Sequence, residues 1–239
     1  MTPSEHVPVA LVTGASRGLG LALTTQLVRR GWHVVVDARD GARLNAAMAQ
    51  LPGSSRVTAV PGDIADDRHR DALSAAVERR GGLDLLVANA SIIGPSPLPP
   101  LGQLAPADLL EVFEVNTLAP LALLALVLPS LRRRGGRVLH LSSDAAIEPY
   151  PGWGAYGAAK AALDYATAVL AIEEPELRCY AVDPGDMDTE LHRLADPDAD
   201  PAALQQPADV IPALWRLISG DLPSGRYVAA ELSAAGAKR

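Results

Sequence analysis

The most informative stretch of the chain is residues 7–20, VPVALVTGASRGLG, in which a short apolar run leads into a glycine-rich turn. The run is rich in valine and predicts a buried strand over Val7–Thr13. The Ala/Leu-rich sequence after the turn predicts a helix over Leu19–Arg30. A strand, a tight turn and a helix in this order form the first unit of a doubly wound sheet. The glycines would let a pyrophosphate approach backbone amides at the helix N-terminus.

Apolar runs and helix-like stretches continue to alternate, as in a parallel sheet covered by helices. Further strands are predicted at His33–Ala38, Arg56–Val60, Leu83–Ala88, Gly136–Leu141, Leu177–Val182 and Arg226–Ala229. Further helices are predicted at Gly41–Gln50, Asp67–Arg80, Pro106–Leu131 (kinked at Pro120 and Pro129) and Gly154–Glu174. We therefore predict an α/β chain, residues 1–239, with a single-domain, Rossmann-like doubly wound fold and a seven-stranded parallel sheet with helices on both faces. The polar segment Asp186–Gln206 is predicted to be a mobile substrate lid.

Composition narrows the function classes. A net charge of -7 and a pI near 5.2 disfavour binding to nucleic acid or anionic membranes. One cysteine, Cys179, excludes an intramolecular disulfide framework, and no Cys/His spacing predicts a metal site. The first residues lack the pattern of a targeting or membrane segment. We expect a cytoplasmic protein that needs no metal and has neither nucleic acid nor a membrane as a partner.

A phenol and an ammonium stand four residues apart in the predicted helix Gly154–Glu174. Tyr156 and Lys160 therefore share one helical face. A nearby ammonium stabilises a phenolate and lowers the tyrosine pKa, so that the phenol can exchange a proton with a substrate oxygen near neutral pH. Taken alone, this spacing is also typical of a solvated helix surface, and the other motifs must decide between the two interpretations.

Two patterns suggest a serine hydrolase instead. Residues 14–18 have the GxSxG form of a nucleophile elbow, but they follow the first predicted strand, and the few residues before it leave no room for an oxyanion-hole loop. His140 and Asp144 flank Ser142-Ser143, but strand alternation and the turn that follows would not bring these neighbours into a catalytic relay. Both hydrolase interpretations are therefore disfavoured.

The chain resembles the short-chain dehydrogenase/reductase family from about Val7 to at least Thr189. The glycine turn has the spacing TGxxxGxG, and Asp63-Ile64 is similar to the family's adenine-contacting pair. Asn89-Ala90-Ser91 resembles its Asn-Ala-Gly segment, with Ser91 replacing the glycine and Ala88 replacing the preceding asparagine. Pro184-Gly185 with Thr189 resembles the segment that closes over the nicotinamide. The cofactor-binding residues that the resemblance implies are Thr13, Gly14, Ser16, Arg17, Gly18, Leu19, Gly20, Ala38, Arg39, Asp63, Ile64, Asn89, Ala90, Tyr156, Lys160, Pro184, Gly185 and Thr189.

The resemblance also implies a catalytic set of Asn116, Ser143, Tyr156 and Lys160. Ser143 stands 13 positions before Tyr156, and Asn116 is similar to the family's helix asparagine. In reduction, Tyr156 would protonate the developing alkoxide, and Ser143 would stabilise its negative charge. Lys160 would lower the tyrosine pKa and bond the nicotinamide ribose, while Asn116 would hold a water that connects it to solvent. Taken singly, each residue has a structural alternative: Asn116 could bond the backbone around the Pro120 kink, Ser143 could end a strand, and Asp63 could cap a helix. The occurrence of all the motifs in this order favours catalysis.

Cofactor choice depends on the end of the second strand. Ala38 stands where NAD-preferring relatives carry an acid, and Arg39 and Arg17 could bind a ribose phosphate, so NADP(H) is predicted to be preferred over NAD(H). Asp37 would favour NAD(H) if it faced the ribose, although strand alternation turns it to the other side. The substrate is predicted to be a small-molecule carbonyl or secondary alcohol. The predicted substrate residues are Ile93, Asp144, Ile147, Trp153, Met187 and His192.

These features predict an NADP(H)-dependent oxidoreductase, a carbonyl reductase (ketoreductase) or alcohol dehydrogenase, that moves a hydride between nicotinamide and a carbonyl or alcohol carbon. Two alternatives stay open: a non-catalytic cofactor-binding regulator, and an isomerase or dehydratase that recycles its nicotinamide internally. The resemblance also implies a homodimer or homotetramer in which Pro106–Leu131 and Gly154–Glu174 pair across a two-fold axis. The small residues Gly157, Ala158, Ala161 and Ala162 would allow close approach there, or could pack inside one subunit.

Overall fold

A computed structural model describes residues 6–236 and contains one seven-stranded parallel sheet. Its strands are β1 (Val9–Val12), β2 (His33–Ala38), β3 (Val57–Pro61), β4 (Leu85–Ala88), β5 (Arg137–Leu141), β6 (Arg178–Asp183) and β7 (Gly225–Val228). The α-helices are α1 (Gly18–Arg29), α2 (Gly41–Ala49), α3 (Asp67–Arg79), α4 (Pro106–Phe113), α5 (Ala119–Arg134), α6 (Gly154–Glu173), α7 (Glu190–Ala195), α8 (Pro207–Ser219) and α9 (Ala229–Gly236). The predicted doubly wound α/β fold is confirmed, and each predicted strand lies within two residues of an observed one.

The strand order places an opening beside the first strand. The order is β3-β2-β1-β4-β5-β6-β7, so that β1 pairs with β2 on one side and with β4 on the other. The chain winds outward in opposite directions from this point, and ligands of such sheets bind where the carboxyl ends of the two central strands diverge. The sheet therefore directs the loops after β1 and β4 into one cleft.

Side-chain alternation along the strands builds a separate core on each face of the sheet. Val34 and Val36 of β2 pack on one face with helices α1 and α8, whereas Val35 packs on the other face with α3 and α5. Successive strand side chains point to opposite faces, so each strand contributes apolar residues to both layers. Burial on both faces makes the strands read as continuous apolar runs.

The long predicted helix Pro106–Leu131 is not continuous. It consists of α4, a π-helical turn at Glu114–Leu118, and α5. Pro120 lacks the N–H that an α-helix would donate to the carbonyl of Asn116, which explains why the wide turn precedes Pro120. The predicted irregularity near Pro120 thus takes the form of a π turn that carries Asn116.

By length and composition alone, the helical region Pro106–Arg134 could cross a membrane. Half of its most apolar 18-residue window is buried inside the fold, as in the core helices of many soluble proteins. The same test therefore gives only weak support for a membrane span.

Three helices in the C-terminal part, α7, α8 and α9, were not predicted. Helix α8 begins at Pro207, a residue well suited to the first helical turn, and buries Val210, Leu214 and Leu217 at helical spacing. The short helix α7 lies inside the segment predicted as a lid, and a bridge joins Met187 to Gln205 across that segment. The mobility of this lid stays a prediction.

Candidate active site

A cleft of about 850 Å³ opens at the carboxyl ends of β1 and β4. It is lined by residues from the glycine-rich turn, the end of β2, the loop after β4, helix α6 and the lid. The predicted site residues that line it are Gly14, Ser16, Arg17, Gly18, Leu19, Ala38, Arg39, Asp63, Ile64, Asn89, Ala90, Ile93, Tyr156, Lys160, Pro184, Met187 and Thr189. The fold thus brings most of the predicted cofactor residues together with two of the predicted catalytic groups.

The glycine-rich turn is packed so closely that side chains would not fit. Gly14 has a φ of +68°, and a Cβ there would lie 2.9 Å from the Ala90 Cα. A Cβ at Gly20 would lie 2.5 Å from the carbonyl oxygen of Gly14. The turn therefore presents bare backbone at the start of α1, a surface that suits a pyrophosphate.

Thr13 and Asn89 join the loops after β1 and β4 behind the cleft. The Thr13 hydroxyl accepts hydrogen bonds from the backbone amides of Asn89 and Ala90, each at 3.0 Å. The Asn89 Nδ2 donates to the Thr13 carbonyl at 2.8 Å. Thr13, Gly20 and Gly185 do not line the cleft themselves, so their contribution is to hold its walls in place.

Asp37 is buried and fully engaged beneath the glycine turn. Its Oδ1 accepts a hydrogen bond from the Gly14 amide at 2.8 Å, and its Oδ2 lies 3.0 Å from the His69 Nε2. A Cβ on Gly62 would lie 2.2 Å from the His69 Nδ1, so the glycine makes room for this ring. Asp37 and its neighbour Ala38 both line the cleft, and the Asp37 carboxylate supports the glycine turn and the His69 ring.

Three arginines line the end of the cleft beside β2, the end predicted to bind adenosine and called the adenosine end below. Arg17 and Arg39 were predicted, and Arg43 of α2 joins them. Partial burial, and then the positive charges of Arg43 and Arg39, lower the pKa of Arg17 from its ordinary value. Arg17 and Arg43 both pair with the carboxylate of Glu190, the first residue of α7. Sequence reasoning missed Arg43 and Glu190, since only the folded chain brings α2 and the lid together.

The two groups of the Tyr-Lys pair lie on the buried face of α6. Tyr156 is 7% exposed and Lys160 is 3% exposed, which excludes a solvated helix surface. The Lys160 Nζ lies 5.5 Å from the centre of the Tyr156 ring and donates a hydrogen bond to the Leu141 carbonyl at 2.7 Å. The edge of the Trp153 ring packs against Tyr156, with 5.7 Å between the ring centres.

The predicted decrease in the pKa of Tyr156 was wrong. Burial raises the pKa of Tyr156 to about 12, although the hydroxyls of Ser91 and Ser143 oppose that rise. Burial lowers the pKa of Lys160 to about 8, and the carboxylate of Asp164 opposes this decrease. The effect of burial on Tyr156 prevails, although the Lys160 ammonium lies nearby. At neutral pH the phenol therefore holds its proton.

Ser143 is held by an acidic neighbour in the loop after β5. Its hydroxyl donates to the Asp144 Oδ1 at 2.9 Å, and the Tyr150 hydroxyl donates to the Asp144 Oδ2 at the same distance. Arg226 of β7 donates to the Ser143 carbonyl at 2.9 Å and also pairs with Asp164. Asp144 therefore orients the serine hydroxyl, while Arg226 supports its backbone.

The neighbouring hydroxyl and imidazole groups do not form a hydrolase relay. His140 is buried, and its Nδ1 lies 2.7 Å from the Thr167 hydroxyl. Burial, and then the charge of Lys160, lower the pKa of His140 to about 4. Ser142 donates to Asp164 instead, at 2.7 Å. His140 and Ser142 thus bond other side chains and not each other, as expected if there is no Ser-His-Asp site.

Asn116 is occupied by the loop that follows β4. Its Oδ1 accepts hydrogen bonds from the Ile92 amide at 2.9 Å and from the Ser91 hydroxyl at 3.1 Å, and its Nδ2 donates to the Ile92 carbonyl at 2.8 Å. The hydroxyl of Ser91, which donates to Asn116, also lowers the pKa of Tyr156. A relay of ordered water from Asn116 to Lys160 stays a prediction.

The predicted substrate residues are distributed between two hollows. Ile93 and Met187 line the main cleft, whereas Ile147 and Trp153 line a second hollow beside it. Asp144 and His192 line neither hollow: the former holds Ser143, and the latter lies 3.6 Å from the Asp186 carboxylate. Within residues 6–236, no group of three or more His, Cys, Asp or Glu side chains could hold a metal ion.

Comparisons with known proteins agree with this arrangement. The family model for short chain dehydrogenase matches residues 8–200. A benzil reductase ((S)-benzoin forming) of Saccharomyces cerevisiae is 34% identical over 196 residues, covering 77% of this chain and 73% of the relative.

Solved structures place the likeness over nearly the whole chain. The alcohol dehydrogenase of Thermococcus sibiricus in complex with 5-hydroxy-NADP matches with a TM-score of 0.83 and 28% identity, covering 93% of this chain and 96% of the other. A short chain dehydrogenase of Escherichia coli CFT073 in complex with NADPH matches with a TM-score of 0.86 and 27% identity, over 93% and 96% of the two chains. This chain therefore belongs to the short-chain dehydrogenase/reductase family of oxidoreductases.

Proposed function

We propose that the protein is an NADP(H)-dependent carbonyl reductase that works through Tyr156, Lys160 and Ser143. The observation that carries this proposal is the burial of the Tyr156 phenol beside the Lys160 ammonium, at the end of a cleft whose other end holds three arginines. A phenol that keeps its proton at neutral pH is the form needed for the reductive direction. The surroundings of a solvent-exposed tyrosine would not control its protonation state in this way.

The proposed reduction combines a hydride and a proton. The cleft would hold a nicotinamide cofactor, which when bound would supply the hydride that reduces the carbonyl carbon. As negative charge develops on the carbonyl oxygen, Tyr156 transfers its phenolic proton to that oxygen, and Ser143 donates a hydrogen bond to it. To do so the Ser143 hydroxyl turns from Asp144, its present acceptor, toward the substrate. The positive charge of Lys160 offsets the phenolate that remains.

The preference for NADP(H) rests on charge at the adenosine end. Ala38 provides no acid for a ribose diol, and the neighbouring Asp37 is engaged by Gly14 and His69. The guanidiniums of Arg17 and Arg39 line this end of the cleft, and such groups bind a ribose phosphate through charged hydrogen bonds. The neighbouring structures in complex with NADP derivatives are consistent with this proposal.

The function is tested by incubating the purified protein with NADPH or NADH and a panel of ketones that includes benzil, with nicotinamide absorbance and product analysis as readouts. We expect NADPH oxidation with one alcohol formed per cofactor consumed. Product without net cofactor consumption would identify the isomerase or dehydratase class. Tight cofactor binding with no turnover over a broad panel would identify a regulator.

We also propose a homodimer or homotetramer built on α4, α5 and α6. These helices expose large apolar side chains to solvent within one chain, with Tyr165 75% and Ile172 81% exposed. Exposed apolar surface of this kind is typical of subunit contacts. Gly157, by contrast, packs inside the subunit, since a Cβ there would lie 2.5 Å from the Ala145 carbonyl oxygen. Light scattering at micromolar protein should give at least twice the monomer mass, and a monomeric mass would contradict the proposal.

A further inference from the structure

The carboxylate of Glu190 lies among the positive charges of the adenosine end. It reaches from the start of α7 to two guanidiniums on separate elements, Arg17 in the glycine-rich turn and Arg43 in α2. The Arg43 Nη1 lies 3.2 Å from the Glu190 Oε2, and Arg17 contacts the same oxygen. Arg39 lines the same part of the cleft, close enough for its charge to act on Arg17. One anionic group from the lid therefore occupies a cluster of three cations.

This cluster is also the place where the proposed function puts a ribose phosphate. One of its arginines, Arg39, directly follows Ala38 at the end of β2, and all three line the cleft. A carboxylate and a phosphate both bind guanidinium through charge-assisted hydrogen bonds. The two anions cannot share the same donors without strong repulsion, so they compete.

The lid position of Glu190 connects this competition with access to the cleft. Thr189, the residue before it, lies over the glycine turn, since a Cβ on Gly18 would be 3.5 Å from the Thr189 methyl carbon. Further along α7, Leu191 packs in the apolar cluster that contains Tyr156 and Ile93. The ion pairs of Glu190 thus connect the N-terminal end of α7 to the glycine-rich turn and to α2.

We propose that Glu190 occupies the subsite of the ribose 2′-phosphate when the cofactor is absent, and that the phosphate must displace it to bind. Glu190 is then a specificity residue that reduces the advantage of NADP(H) over NAD(H). The inference rests on the proposed function for the location of the subsite. It makes a separate claim about Glu190 that can be measured without catalysis.

The test uses two small probes, adenosine 2′,5′-bisphosphate and adenosine 5′-monophosphate, with dissociation constants measured by calorimetry on the full chain. In the Glu190→Gln variant the bisphosphate should bind about three- to tenfold more tightly than in the wild type, because two exposed ion pairs no longer oppose it. The affinity for the monophosphate should not change. The gain should also decrease as salt is raised, since exposed charges are screened.

Glu78→Gln is the matched control. Glu78 is a similarly exposed glutamate that pairs with Arg133 at 2.8 Å near the end of α3, away from the cleft. It removes the same charge and one exposed ion pair, and it should leave both affinities unchanged. A general effect of net charge would appear in both variants, whereas displacement from the subsite would appear only in Glu190→Gln.

The outcomes separate this inference from the proposed cofactor preference. If the wild type prefers the bisphosphate but Glu190→Gln does not increase that preference, the inference about Glu190 is wrong and the cofactor proposal stands. If the wild type shows no preference and Glu190→Gln acquires one, the inference holds and the proposed preference of the wild type is wrong. Weaker binding of the bisphosphate in Glu190→Gln would overturn the inference, because it would make Glu190 part of the binding site.

Discussion

The charged side chains at the two ends of the cleft differ in their exposure to solvent. At the adenosine end the side chains of Arg17 and Arg43 are 42% and 48% exposed, and they meet a carboxylate that is also partly in solvent. At the catalytic end Tyr156 and Lys160 are almost completely buried. Water weakens each ion pair at the first end. At the second end, burial raises the pKa of Tyr156 to about 12 and lowers the pKa of Lys160 to about 8.

This difference suggests that the exposed end selects the cofactor and that the buried end carries out proton transfer. Exposed cations can select between cofactors by modest free energies that depend on salt. Burial strongly shifts the pKa of a titratable group. This shift controls the protonation state that catalysis needs, but burying the charged form lowers the stability of the folded protein. Substitutions at the catalytic end should therefore have larger effects than substitutions at the adenosine end, and the following predictions test that order.

The largest effect is expected from Tyr156→Phe. The ring can still pack against Trp153, but the proton donor is lost, so turnover should decrease about a hundredfold or more. NADPH binding, measured by fluorescence titration, should stay close to that of the wild type. If the variant retained a tenth or more of the wild-type rate, Tyr156 would not be the general acid.

A large effect on stability is expected from Lys160→Met. The pKa of Lys160 is about 8 in the folded protein and near 10.5 when unfolded, so the unfolded chain binds more protons between these values. Stability from this group must therefore increase as pH rises from 8 to 10.5. Relative to Lys160→Met, the wild type should gain up to about 3 kcal/mol in its free energy of unfolding across this window.

Denaturant titrations of the cofactor-free proteins between pH 7 and pH 10.5 would measure this gain. Tyr156→Phe is the internal control, since the pKa of Tyr156 is raised from 10 to about 12 and its contribution changes only above pH 10. Parallel pH profiles for the wild type and Lys160→Met would show that the ammonium is not strained by burial.

A smaller effect is expected at the adenosine end. NADPH should be preferred over NADH in kcat/KM by about tenfold, near the lower limit for a charged hydrogen bond because the arginines are exposed. Arg39→Ala should remove most of this preference, and the double variant with Ala38→Asp should invert it. Equal or better efficiency with NADH in the wild type would contradict the assignment.

The smallest effect is expected from Ser91→Gly. The Ser91 hydroxyl lowers the pKa of Tyr156, so its removal should raise that pKa further. Alcohol oxidation needs the phenolate, and at a fixed pH near 8 it should slow about threefold, the value of one neutral hydrogen bond. Its pH profile should move to higher pH, and Ser91→Thr, which retains a hydroxyl, should restore it. An unchanged profile would show that Ser91 serves only Asn116.

The sequence was a reliable guide where local periodicity decides the structure. Strand β2 was predicted with its observed bounds, His33–Ala38, because valines flanked by turn residues leave little choice. The apolar spacing of helix α8 was also present in the sequence, at Val210, Leu214 and Leu217, but it was overlooked beside the proline-rich lid. This helix was therefore predictable from local sequence.

Other features depend on contacts between distant parts of the chain. The pKa of Tyr156 was predicted in the wrong direction because it depends mainly on how deeply the folded chain buries the phenol. The pairing of Glu190 with Arg43 joins residues 147 positions apart. No local pattern encodes such pairs, and only the arrangement of loops at the sheet edge brings them together.

The group formed by Asp37, His69 and Gly62 limits the substitutions that the end of β2 can accept. With this backbone, any side chain at position 62 would collide with the His69 ring. Replacing Asp37 would remove the carboxylate partner of that ring and the acceptor of the Gly14 amide. A redesign of cofactor choice at the end of β2 should therefore keep these three residues together.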